Sequence, residues 1–251
     1  MNILIAGEMP FLQEVGQLCI DAGHDTTLYL VEDCLSALES DDLTDDLHQV
    51  DIAIELHHES ATAKQQLLRG LSKALPPHAL VLTSALNTSA TQAAAWVVQP
   101  QRVVGFGVLP PLAAGDVVEL ARALQTDDAA LARAAAFWEE VGLATAVVAD
   151  GPGLVRARTL CCLINEAASA LMEGIASASD IDQAMQLGAN YPRGPLAWAD
   201  YLGLDAVLGV MTGLFAEWGE DRYRPSPLLR RLVIAGKLGQ KSGEGFYKDE
   251  G

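Results

Sequence analysis

Over the first 150 residues, short apolar runs alternate with stretches whose apolar positions recur every three or four residues. This is the pattern of a parallel sheet covered by helices. The runs predict strands at 2–6, 26–30, 51–56, 79–83, 102–108 and 144–149. Leucines at 67, 68, 71 and 75 mark one intervening helix, and residues 127–142 give another. After ADGPG at 149–153 the strand-like runs stop, and the rest reads as helix broken by turns. A domain boundary is expected there, giving an α/β unit over 1–150 and an all-α unit over 151–251. In the second unit Leu160, Leu163, Ile164, Ala167, Ala168, Leu171 and Met172 form one broad apolar stripe on a long helix. Ser179 followed by Asp182 predicts a capping box opening the next helix, which Gly188 would end. Ser226 before Pro227 predicts a last helix running to about residue 235.

Composition narrows the picture. Of 251 residues, 50% are hydrophobic and 20% charged, which suits one or two compact cores. No apolar run approaches the roughly 18 residues of a membrane span, and the N-terminus lacks a basic flank and cleavage site. A soluble, cytoplasmic protein is expected. The formal net charge is −17 with no Lys/Arg cluster, which argues against nucleic acid or an anionic membrane as partner. The acidic stretch 39–46 reads as a solvated face. Cys19, Cys34, Cys161 and Cys162 show neither metal-ligand spacing nor a disulfide framework, and the last two read as reduced core residues. His57 and His58 have no evident third ligand, so no metal is expected.

The segment LIAGEMPFLQEVG, residues 4–16, opens as a dinucleotide-binding turn does, with a strand, a glycine and a helix. In a GxGxxG turn the three glycines give the tight bend, the backbone approach to pyrophosphate and the helix–strand contact. Here these places fall on Gly7, Met9 and Leu12. Met9 is expected to occupy pyrophosphate space, Leu12 to push the helix outward, and Glu8 to set its carboxylate over the helix N-terminus. The acid that would hold a ribose belongs at the end of the second strand, which reads Leu30. Glu32 or Asp33 would replace it only on a displaced loop.

The runs at 163–205 and 222–247 carry an Asn-Glu-Ala helix, a Ser-x-Asp-Ile-Asp turn, a Tyr-Pro-x-Gly-Pro turn and a terminal Lys-Ser-Gly-x-Gly-Phe-Tyr. In this order and spacing they resemble the helical domain of the 3-hydroxyacyl-CoA dehydrogenases, and above all the degenerate second module of two-module members. The resemblance implies a Rossmann-like domain followed by a helical domain of the 6-phosphogluconate dehydrogenase C-terminal type. It implies oxidation of an L-3-hydroxyacyl-CoA with NAD, and a dimer contact through the helical domain. On the cofactor side it points to Gly7, Glu59, Lys64 and Lys241, with Glu55 completing an Ile-Glu-x-x-x-Glu-x-x-x-x-Lys pattern.

On the catalytic side, the family's His falls on Gly107 and the Asn of the same motif on Pro110, while the partnering Glu survives as Glu119. A helix Asn falls on Ala157. The substrate Ser falls on Leu86 without gaps, or is restored as Ser89 if the preceding loop is three residues longer. Arg158 matches a family Arg expected to form a structural ion pair. Arg156 is a new cation, expected to face the old cleft and bind an anion or neutralise Glu119.

A carboxylate without its imidazole cannot take the hydroxyl proton at a comparable pKa. Three functions follow: a dehydrogenase with a remodelled site, a non-catalytic subunit forming a homodimer or a heterodimer with an active relative, and an acyl-CoA or anion binding module. The matched losses favour the second.

Overall fold

The computed structural model describes residues 1–40, 47–113 and 115–248, so most of the acidic stretch lies outside the described residues. Strands β1 (Asn2–Gly7), β2 (Asp25–Leu30), β3 (Ile52–Leu56), β4 (Leu80–Ser84), β5 (Val103–Gly107), β6 (Val117–Ala121) and β7 (Ala144–Val148) form one sheet. Its order is β2-β1-β3-β4-β5-β6-β7, parallel throughout except where β6 runs antiparallel to β5. Alternation along the strands sorts side chains to two faces. Ile3, Ile5, Ile52, Ile54, Leu82 and Phe106 pack under α1 (Phe11–Asp21) and α5 (Asp128–Glu140). Leu4, Ala6, Ala53 and Val81 pack under α2 (Val31–Glu39), α3 (Ala61–Ala74) and the short α4 (Ala90–Ala94).

The expected strands all form, within a residue or two of their predicted ends. Strand β6 was not expected. VVELARAL is rich in helix formers, and only pairing with β5, with Phe106 opposite Leu120 and Gly107 opposite Glu119, makes it extended. β1 has β2 on one side and β3 on the other. The order of the sheet therefore switches at the carboxyl ends of β1 and β3, which is where open α/β sheets bind ligands.

The helical part comprises α6 (Arg156–Met172), α7 (Ala178–Ala189), α8 (Pro195–Leu202), α9 (Leu204–Trp218) and α10 (Pro227–Ile234). The predicted stripe on α6 is buried at Leu160, Ile164, Ala167 and Ala168 but ends exposed at Met172. Cys161 is buried and Cys162 half-buried. α10 starts at Pro227 as predicted, although Ser226 makes no side-chain cap. The opening of α7 is a correction: its N-cap is Ser177, which accepts from the Asp180 N–H, and the helix ends on left-handed Asn190 rather than at Gly188. Asp182 instead reaches across and accepts from the N–H groups of Leu196 and Ala197, both at 2.8 Å, so it caps α8. Gly203, at φ 95°, bends the chain by 100° between α8 and α9 and lays α9 over the carboxyl edge of the sheet. Among the described residues no single helix is long and apolar enough to cross a membrane.

Candidate active site

At the switch point, Gly7 lets β1 approach β3: a Cβ there would lie 2.6 Å from the Cβ of Leu56. The next residue differs from expectation. Glu8 does not lie over the N-terminus of α1; its carboxylate crosses to the end of β3, against Nδ1 of His57, and accepts from the His58 N–H at 3.3 Å. The reason is local chemistry, since an imidazole and a free N–H at the end of β3 offer a carboxylate more than α1 does. Pro10 leads into α1 and has no N–H to give, and the N–H of Leu12 is taken by the Glu8 carbonyl at 2.8 Å. Leu12 is packed in the core between sheet and helix, while Met9 is 42% exposed on the lip of a cleft with Gln13, Glu14 and Tyr201.

Beneath this pair lies a buried polar network. Lys64 is fully buried and ion-pairs with Glu55 at 2.5 Å, while donating to the carbonyls of Ser84 at 2.8 Å and His57 at 3.3 Å. Glu55 also accepts from Thr83 Oγ1 and from the His57 N–H. Burial pushes the Lys64 ammonium down and Glu55 only partly restores it. The expectation that Lys64 faces a nucleotide is therefore corrected, because its ammonium is surrounded by the ends of β3 and β4. His58 Nε2 lies 2.8 Å from Ser84 Oγ with its ring tilted against Phe11, and burial followed by the charge of Lys64 holds it well below the usual histidine range. For His57 burial pulls the same way, but the hydrogen bond and charge of Glu8, together with the charge of Glu55, outweigh it and the pKa is raised.

Glu59 and Lys241, the other two residues expected at the cofactor, come together. Nζ of Lys241 is 2.9 Å from Glu59 and also binds Asp205, so it staples α9 and the C-terminal segment to the start of α3. Burial raises Asp205 to about 6.

At the reacting end, a Cβ on Gly107 would lie 2.9 Å from Leu154 Cδ1, 3.5 Å from Glu119 Oε2 and 3.6 Å from Leu86 Cδ2. A side chain at this position would press on Leu154 and touch Leu86 and Glu119 at ordinary contact distance. Glu119 is 5% exposed and accepts from the N–H groups of Val155, at 3.4 Å, and Arg156, at 3.2 Å, so it satisfies the first turn of α6. Ala157 is buried beside it. The side chain of Arg156 turns away from the cleft and donates to the Val117 carbonyl at 2.9 Å, a correction to its expected role. Among the described residues Arg158 forms no carboxylate pair; it donates to Tyr223 Oη and stacks over Trp218 and Tyr223. Ser89 is the N-cap of α4, accepting from the Gln92 N–H at 3.2 Å, and it lines an open cavity.

That cavity, about 800 Å³, lies between the loop after β4, α9 and α10. Sequence reasoning did not find its roof. Gly209 and Gly213, one turn apart on α9, rest directly on the carbonyl oxygens of His58 and Asn87, with no room for a Cβ. The Gly-x-x-x-Gly spacing was the available signal, as was Pro10 in the turn.

A mainly parallel sheet with a crevice at its switch point, followed by a helical domain that roofs it, is a two-domain architecture of the dinucleotide-binding class. Residues 19–151 match the 3-hydroxyacyl-CoA dehydrogenase NAD binding domain, and residues 153–249 match the C-terminal domain. The chain is 37% identical over 220 residues to a probable 3-hydroxybutyryl-CoA dehydrogenase of Bacillus subtilis, covering 88% of this chain and 77% of the relative. It is 37% identical over 217 residues to the 3-hydroxybutyryl-CoA dehydrogenase of Bradyrhizobium diazoefficiens, covering 86% and 74%. Its structure matches the (S)-3-hydroxybutyryl-CoA dehydrogenase of Ralstonia eutropha with a TM-score of 0.77 at 31% identity over 98% of both chains. The chain belongs to the 3-hydroxyacyl-CoA dehydrogenase family.

NAD is the cofactor that the family's nucleotide domain binds. The turn meant for its pyrophosphate fits that group poorly here. Pro10 removes a donor and the Glu8–His57 pair sets a carboxylate at the crevice, while Met9 stands exposed on its lip.

Proposed function

We propose that this chain is a 3-hydroxyacyl-CoA dehydrogenase homologue that has given up the oxidation of the 3-hydroxyl and serves acyl-CoA metabolism as a non-catalytic or weakly active subunit. Removing hydride from an alcohol carbon requires a base for the hydroxyl proton. The observation that carries the reading is Leu154 Cδ1 standing 2.9 Å from where a Cβ of residue 107 would be. The retained acid, Glu119, is engaged by two backbone N–H groups and has no imidazole to orient.

The helical domain supports pairing, with a second copy or with an active relative. Along α7 only Asp182 is buried, and Ile175 and Leu187 stand 71% and 79% exposed beside it. The test is twofold. Incubation with acetoacetyl-CoA and NADH is expected to give no loss of NADH above background, and native mass measurement is expected to give a dimer or a complex with an active homologue. Turnover like that of active relatives would overturn the first half, and a monomer alone and in their presence would overturn the second. A remodelled NAD-dependent dehydrogenase is the second reading, favoured by the retained Glu59 and Lys241. Saturable NADH binding at micromolar levels separates it from the first.

A further inference from the structure

His57 joins the crevice between β1 and β3 to the contact that closes the two units on each other. Its buried imidazole is used on both sides: Nε2 accepts from the Ser60 N–H at 3.1 Å, and Nδ1 lies against the Glu8 carboxylate. A ring nitrogen that accepts carries no proton, so these two partners fix a neutral ring with its hydrogen on Nδ1. A second proton can go only to Nε2. The imidazolium then has two donors and no acceptor, and its new N–H points at the N–H of Ser60. Two donors 3.1 Å apart must separate.

What yields is the loop. The ring is held by Glu8, and the backbone of His57 by the Glu55 carboxylate and the Lys64 ammonium. Ser60 is only half-buried, and its N–H can turn to water. Ser60 is also the N-cap of α3, accepting from the Ala63 N–H at 3.3 Å, and its neighbour Glu59 binds Lys241 at 2.9 Å. Lys241 in turn holds the buried Asp205 of α9, and Glu59 and Asp205 both line the cavity between the units.

We propose that His57 is a proton-operated latch: the neutral ring holds Ser60 and Glu59 so that Lys241 clasps α9, and protonation at Nε2 releases Ser60, slackens the Glu59–Lys241 contact and opens the mouth of the cavity. The clasp is therefore closed above the folded pKa of His57 and slack below it. Burial and the charge of Lys64 oppose the second proton, while Glu8 and Glu55 favour it and prevail, so the latch turns above the ordinary histidine value of about 6.5. His58, beside the ring, is kept neutral by its burial and by Lys64. Asp205, raised to about 6 by burial, sits in the same clasp and titrates at lower pH. Because the imidazolium keeps Glu8 as its partner, the change is local and the fold is not lost. The latch does not depend on whether dehydrogenase turnover has been lost.

Hydrogen exchange of the full chain across about pH 5 to 9, corrected for intrinsic rates, tests it, with the His57 ring followed by NMR. In the wild type, protection at residues 59–61 and 203–206 is expected to fall at least about fivefold on acidification, with the midpoint of the ring titration. Glu8→Gln is expected to move both midpoints to lower pH together. His57→Gln, whose amide accepts and donates without titrating, is expected to remove that step at both segments. Lys241→Met is expected to keep the step at 59–61 and lose it at 203–206. A step at the same midpoint in His57→Gln, an exchange midpoint that does not follow the ring in Glu8→Gln, a step at 203–206 that survives Lys241→Met, or a ring that titrates with no change in protection would overturn the proposal. Acetoacetyl-CoA turnover with NADH, read separately, bears on the catalytic reading and not on this one.

Discussion

At Gly107, where the family resemblance expects a histidine, the surroundings crowd an added side chain. Leu154 sits at φ 46°, a left-handed conformation that leucine adopts only when packing holds it, and its side chain points into the space next to Glu119. Restoring the histidine alone is therefore not expected to restore chemistry. Gly107→His should leave NADH turnover at background and destabilise the fold by about 1–3 kcal/mol through overpacking. Adding Leu154→Ala should recover part of that loss, and urea unfolding of the two variants checks both signs. That Gly107 and Ala157 stand where the resemblance expects His and Asn was legible residue by residue. The approach of Leu86 and Leu154 to Gly107 was not, because both are far from it in the chain and only folding brings them there. A second residue-scale effect belongs to His57, whose pKa is raised because Glu8 outweighs burial. A raised folded pKa means the contribution of the pair is complete below the unfolded value of about 6.5 and is lost as pH rises through the folded value. Glu8→Gln should drop the His57 titration, followed by NMR, below the wild-type value and flatten that stretch of the stability profile. An unchanged titration would show that Glu8 is not its partner.

The helix ends show how the chain satisfies its own donors. Glu119 serves α6, Asp150 takes the N–H groups of Ala90 and Thr91 in α4, and Asp182 serves α8 while accepting from Tyr247 Oη. Asp182 is 5% exposed, so Asp182→Ala leaves one buried and one half-buried N–H group unmade and should cost about 2–4 kcal/mol. Asp180→Ala, on the exposed first turn of α7, should cost under about 1 kcal/mol. Chemical denaturation of the pair measures the difference. The Ser-x-Asp-Ile-Asp run was readable as a helix start, but two Ser and two Asp fit the same motif two residues apart. What selects Ser177 and Asp180 is the pull of α8 on Asp182, a contact across 14 residues that no local pattern holds. Strand β6 was hidden for the same reason, since its extended form comes from β5 and not from its own residues. By contrast the central strands, apolar on both faces and bounded by turns, declared themselves.

On the scale of the whole molecule, the two units are held together across the carboxyl edge of the sheet by a few contacts of different kinds. Glu14 on α1 accepts from Tyr201 Oη, Trp198 Nε1 donates to the Pro110 carbonyl at 3.2 Å, and Gly209 and Gly213 seat α9 on two loop carbonyls. Lys241 joins an acid of the α/β unit to a buried acid of α9. In a chain of net charge −17 that ammonium has a second effect, because without it Glu59 and Asp205 face each other uncompensated. Lys241→Met should therefore do more than remove an exposed ion pair, which is worth about 0–1 kcal/mol. Asp205 is 7% exposed and would be left without its cation, so a loss of about 2–4 kcal/mol is expected, together with faster hydrogen exchange at residues 57–61 and 203–206 as the units part. Asp205→Asn in the same chain should return much of the stability, since it removes the stranded charge, but not the exchange protection, since Glu59 still lacks its link to α9. Should Lys241→Met exchange as slowly as wild type at both segments, the seating of Gly209 and Gly213 would be enough to hold the units closed, and the staple would serve only to neutralise its acids.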